Sequence, residues 1–173
     1  MGLLHLYCGD GKGKTTAAIG LAIRGAGAGM RVHIVQFLKG RETAELAILA
    51  GIPQITVSRC EKDYGFTWSM TSEEREAITL EHNRLLTEAV QLETSGEVQM
   101  LILDGFVSVY RQGLLDRALA EHLILQKPPA LELVLTGRNP DEKWIRAADY
   151  VSEIRAVKHP YQKGIGARHG IEY

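Results

Sequence analysis

Within residues 9–16, GDGKGKTT, stand three glycines, two lysines and two threonines. Those residue types suit a loop that holds phosphates. Gly9, Gly11 and Gly13 alternate through the turn, so the backbone can take strained angles and aim successive N–H groups inward. Lys14 supplies a point charge, and Thr15 offers a hydroxyl where a Mg²⁺ ion bound to phosphate would sit. A helix opening near Lys14 adds the positive end of its dipole. The usual loop reads G-x-x-x-x-G-K-[ST], and its first glycine would fall at position 8, where this chain has Cys8. A Cβ disfavours positive φ, so the turn is expected to start one residue later, at Gly9. Lys12 puts a second cation inside the loop, which suits a long polyphosphate. Asp10 is out of character. A carboxylate 4 Å from a phosphate costs on the order of 4 kcal/mol at an effective dielectric of 20, so Asp10 is expected to point outward or to cap a backbone N–H.

A nucleotide site of this kind also needs an acid at the end of a hydrophobic strand. "MLILDG" offers Asp104 there, as a second candidate metal ligand beside Thr15.

The elements that must position these residues are legible as an alternation. Short apolar runs, "LLHLY" (3–7), "VHIVQF" (32–37), "ITVSR" (55–59), "MLILD" (100–104), "LELVLT" (131–136) and "YVSEI" (150–154), read as strands. Between them lie helical patterns: 14–28, 41–51, a long one from Thr71 to Gly96, 114–126, and one that Pro140 can open. Thr71 with Glu74 three residues on makes a capping box. Strands alternating with helices imply right-handed crossovers and a mostly parallel sheet covered on both faces. The expected architecture is an α/β, phosphate-loop NTPase-like (RecA-like) three-layer sandwich, one domain over residues 1–173.

Composition excludes several classes. A formal net charge of -1 gives no global reason to bind nucleic acid or a membrane surface. The two cysteines make no disulfide framework. "MGLLHLY" lacks the basic start of a signal peptide, and no apolar run approaches a membrane span, so a cytoplasmic protein is expected. The tail 155–173 is different: four cations against the single acid Glu172 leave it at +3 with histidines neutral.

Three segments give the chain a more specific resemblance. "GDGKGKTTAAIGLAIRGAGAGMRVHIVQFLKG", "GFTW" (65–68), and "LELVLTGRNP" through "ADYVSEIRAVKHPYQKGIGARHGIEY" resemble the ATP:corrinoid adenosyltransferases of the cobalamin-synthesis type, whose phosphate loop departs from the usual one in the same way. The resemblance implies that a Co(I) corrinoid attacks the 5′ carbon of ATP and displaces triphosphate, with the nucleotide lying reversed in the loop. It implies phosphate contacts from Lys12, Lys14, Thr15 and Thr16, a phosphate or ribose contact from Arg24, and a nucleotide contact from Arg138. It implies that Phe66 and Trp68 push the lower ligand off Co(II), so that a flavin-dependent reductant can deliver the electron. It also implies a homodimer.

The chain departs from that family twice. The strand-end acid is normally followed by Glu, which serves as a magnesium ligand, and here Asp104 is followed by Gly105. Reduced activity and a raised magnesium requirement are therefore expected, as is their relief by Gly105→Glu if the backbone at 105 has negative φ. Family members also often carry an N-terminal segment over the corrinoid, and a chain starting at its first strand would leave that site more open. The rival reading is a non-catalytic ATP or corrinoid binder with an impaired metal site.

Overall fold

A computed structural model describes every residue except Arg41, Glu61 and Phe66; of Trp68 it describes the backbone alone. The strands are β1 (Leu4–Cys8), β2 (Val32–Gln36), β3 (Ile55–Arg59), β4 (Met100–Asp104), β5 (Glu132–Thr136) and β6 (Tyr150–Glu153). They form a six-stranded sheet in the order β3-β2-β4-β5-β1-β6, and every neighbouring pair is parallel.

The four central strands β2, β4, β5 and β1 are largely apolar because both their faces are covered, whereas the edge strand β6 is exposed along its length and β3 is buried mainly at Ile55. Alternation along each strand sorts the side chains into two cores. Leu4, Leu6, Val35, Leu101, Leu103, Leu133 and Leu135 face one way. There they meet Ile78, Leu85, Leu86 and Ala89 of α3 (Ser72–Ser95), with α4 (Phe106–Arg111), α5 (Arg117–Leu125) and α6 (Glu142–Ala147). Val32, Ile34, Met100, Ile102 and Val134 face the other way, onto α1 (Lys14–Gly27) and α2 (Glu45–Leu49). The buried stripe of α1 is Ala18, Ala22, Gly25 and Ala26, and such small residues let the helix lie close to the sheet. A Cβ at Gly25 would already stand 3.0 Å from the Met100 Cε.

Three boundaries and one whole helix differ from the sequence reading. The helix expected over 41–51 covers only Glu45–Leu49, and Thr43 and Ala44 line a cleft instead. The one expected over 114–126 starts at Arg117, because the Asp116 side chain caps it by accepting from Leu119 N at 3.0 Å. Pro140 does not open the last helix; Asp141 takes the N-cap position. Helix α4 was not anticipated, because "FVSVY" is rich in β-formers. Gly105, at φ +82°, turns the chain from β4 directly into it. The capping box at Thr71 is present, with both reciprocal bonds, and Gly96 ends α3 in the left-handed conformation.

Candidate functional site

In a parallel sheet all carboxyl ends lie along one edge, where ligands bind in open α/β folds. Here that edge gathers the loop after β1, the strap after β2, Asp104 of β4 and Thr136 of β5.

The loop opens as its residue types require. Cys8 ends β1, and the first positive φ falls at Gly9 (+103°), as expected from the missing glycine. Gly9 and Gly11 are also needed for space. Their Cβ atoms would lie 2.3 Å from Ile154 O and 2.8 Å from Arg155 C, because the loop packs against the chain leaving β6. Gly11 N donates to Ile154 O at 2.8 Å. Gly13, at φ +118°, is the N-cap of α1 and has open space before it. Asp10 does point away from the loop: its Oδ1 accepts from Ala156 N at 3.0 Å, and that bond holds its carboxyl below the usual range.

The Lys14 ammonium bends back onto its own loop, 2.6 Å from Gly11 O. Burial, then the Arg138 guanidinium, lowers its pKa. Thr15 Oγ1 donates to Asp104 Oδ1 at 2.8 Å, so the two expected metal ligands are adjacent. Parity explains this. Asp104 follows Met100 and Ile102 on the face covered by α1, whose first turn carries Thr15. Asp104 is buried, and its Oδ1 also accepts from Thr136 Oγ1 at 2.6 Å, which in turn accepts from Gly105 N at 2.9 Å.

Sequence reasoning missed Lys39. Its ammonium lies 2.6 Å from Asp104 Oδ2 and 3.3 Å from Thr15 Oγ1. A lysine just beyond the end of a strand, in "QFLKG", was the available signal. It missed Gln36 as well. This residue stands opposite Asp104 in the β2–β4 register and on the same face, and it is fully buried. Both its amide atoms lack a partner among the described residues.

These donors fit a magnesium ion. Hydroxyl, carboxylate and an unpartnered amide oxygen are the hard ligands it prefers, with phosphates and water completing the shell. Among the described residues there is no cluster of three or more His, Cys, Asp and Glu that would hold a metal alone. The Gly105 position rules out part of the earlier expectation. Its φ is +82°, and a Cβ there would stand 3.1 Å from Phe37 O, so a Glu at 105 meets strain rather than relief.

A cleft of about 840 Å³ opens beside this cluster. Thr15, Thr16, Ile19 and Lys39 line one side, Gly65 and Thr67 another, and the chain end Gly170–Tyr173 a third. Lys12 faces a smaller cleft with Arg155, Lys158 and Arg168. There Arg168 holds the half-buried Glu172 carboxyl down to about 2, through a bond of 3.0 Å. Arg138 is exposed, close enough to repel Lys14. Arg24 is not brought to the loop: it lies in the last turn of α1, ten residues and roughly 15 Å along the helix from Lys14. Phe66 and the Trp68 side chain lie outside the described residues.

A family model described as "ATP:corrinoid adenosyltransferase BtuR/CobO/CobP" matches residues 1–173. A corrinoid adenosyltransferase of Pseudomonas aeruginosa is 36% identical over 176 residues, covering 99% of this chain and 84% of the relative. One from Escherichia coli K12 is 31% identical over 175 residues, covering 99% and 86%. Among solved structures, ATPases 2 and 3 of EssC from Geobacillus thermodenitrificans superpose with a TM-score of 0.51 at 14% identity, over 99% of this chain and 36% of that one. That likeness supports the phosphate-loop ATPase fold and nothing finer.

Proposed function

The chain belongs to the ATP:corrinoid adenosyltransferase BtuR/CobO/CobP family and moves the adenosyl group of ATP onto a corrinoid, and from that premise we propose how its own residues do so. A bond forms between Co(I) and the 5′ carbon of ATP. The bond from that carbon to oxygen breaks, and its electron pair leaves with the triphosphate. The protein's task is to hold the triphosphate still and to accept the charge that gathers on it.

Backbone N–H groups at the end of the loop, around Gly13, and in the first turn of α1 receive the phosphates, the Gly11 N–H being committed to Ile154 O, with Thr16 at the cleft wall. Lys14 exchanges Gly11 O for a phosphate oxygen, and its desolvation strengthens that contact. Lys12 adds a cation from the side of the smaller cleft. Arg138 serves the same polyphosphate from the loop after β5. Asp10 stays tied to Ala156 N and keeps its charge away. Thr15 and Asp104 hold magnesium, with Gln36 as an oxygen donor beside them. When bound, the ion neutralises charge developing on the leaving group. With Gly105 in place of Glu, fewer carboxylates hold it, so more magnesium is needed for full rate.

Phe66 and Trp68 take the corrinoid side, displacing its lower ligand so that a flavin-dependent reductant can make Co(I). Residues 1–173 work as one domain, in a cytoplasmic homodimer. Arg24 lies too far along α1 to reach phosphates in its own loop, so a contact from it falls to the adenosine end.

The observation that carries this reading is the contact of buried Asp104 with Thr15, a residue that lines the cleft together with Lys39 and Thr67. An anaerobic assay with reduced cobalamin and ATP tests it. Triphosphate must appear in step with adenosylcobalamin; diphosphate or orthophosphate in its place would make the protein an NTPase.

A further inference from the structure

Lys39 touches both groups that the proposed metal would use. Its ammonium is 2.6 Å from Asp104 Oδ2 and 3.3 Å from Thr15 Oγ1. Asp104 is buried, and its other oxygen is occupied by two hydroxyls, so Lys39 is, among the described residues, the cation in direct contact with it. A buried carboxylate stripped of its cation is strongly destabilised. A divalent ion on the same two oxygens would meet a like charge at contact distance.

The backbone beneath Lys39 is fixed from several directions. Phe37 N donates to Asp104 O at 2.9 Å. Leu38 is held at φ +61°, a conformation a branched side chain rarely takes, and its N–H donates to His82 Nε2 at 3.2 Å. The Lys39 carbonyl accepts from Arg59 Nε at 3.1 Å. Gly40 packs so close to the chain at 62 that a Cβ would lie 2.0 Å from Lys62 O. Strain maintained in this way marks a position where side-chain placement matters. With the backbone held, only the flexible four-carbon stem can move, and the side chain borders the open cleft beside Thr15 and Thr16.

We propose that Lys39 is an exchangeable counter-ion. In the nucleotide-free protein its ammonium holds the metal's place on Asp104 and Thr15. When the divalent ion arrives with ATP, it swings into the cleft and becomes a further cation on the triphosphate. This rests on the reading of Thr15 and Asp104 as metal ligands.

The test uses manganese as the probe. Electron paramagnetic resonance titration of nucleotide-free protein is run on wild type, Lys39→Met and Asp104→Asn. Lys39→Met should bind Mn²⁺ roughly tenfold more tightly than wild type, the scale of one charge-assisted contact, and Asp104→Asn should lose the binding. In EDTA, Lys39→Met should also melt at a lower temperature than wild type. Equal manganese affinity in wild type and Lys39→Met, with Asp104→Asn impaired, overturns the exchange and leaves the metal reading standing. Manganese binding indifferent to Asp104→Asn overturns the metal reading and the exchange with it. A second measurement needs no variant to fold well. The ¹⁵N resonance of the Lys39 ammonium in wild type should shift when Mg²⁺ and ATP are added together and not when ATP is added with EDTA. An unmoved resonance overturns the proposal.

Discussion

The backbone N–H of Leu38 donates to Nε2 of His82, at 3.2 Å, joining α3 to the strap that carries Lys39. The other ring nitrogen of His82 donates to Leu114 O at 2.8 Å, so the imidazole is neutral with its proton on Nδ1. Burial pushes its pKa down to about 4 from 6.5. The unfolded chain therefore binds the extra proton between pH 6.5 and 4. His82 contributes its stability above pH 6.5 and loses it as pH falls through that window, by about 3 kcal/mol at most. Glu93 acts in the opposite sense, because burial raises its pKa to about 7 and favours the fold as pH falls below that value. The wild-type curve alone therefore mixes two slopes. In urea denaturation from pH 7.5 to 4.5, the stability of wild type relative to His82→Gln should therefore fall as the pH drops, because the Glu93 slope is common to both curves. Parallel curves would show that His82 does not titrate in this range.

Gly105→Glu should not repair the magnesium site. The position is left-handed and faces Phe37 O at 3.1 Å, so the variant should lose about 1–3 kcal/mol of stability. A magnesium titration at saturating ATP and reduced corrinoid should show no lower half-saturation than wild type. A clear drop would mean that the turn after β4 rearranges readily.

Lys14→Ala should weaken ATP by about 1.5–3 kcal/mol, or roughly 10- to 150-fold, since it removes a charge-assisted contact in a partly desolvated loop. Calorimetry reads this directly. Unchanged affinity would remove the loop 9–16 from the nucleotide site.

Trp68→Ala should slow adenosylation from Co(II) with a flavin reductant far more than adenosylation of chemically produced Co(I). Only the first reaction requires the lower ligand to leave. The motivation is the "GFTW" resemblance together with the position of Gly65 and Thr67 at the cleft wall. Equal losses in the two assays would assign Trp68 a packing role.

What the sequence determined by itself was local. Gly9, Gly11 and Gly13 announce the phosphate loop because its backbone demands no side chain there. The run "MLILD" announces a doubly buried strand ending in an acid, and Thr71 with Glu74 announces the start of α3. Each signal lies within a few residues and acts through the geometry of its own segment. What only the tertiary structure decided was which distant groups meet. Thr15 and Asp104 are 89 positions apart, and Lys39 and Asp104 are 65 apart. They converge because parallel strands deliver their carboxyl ends to one edge, and side-chain alternation turns Asp104 and Gln36 toward α1. The left-handed backbone at Leu38 was equally out of reach. A leucine does not choose that conformation, and it is imposed from outside by His82 and by the strap closing over Asp104.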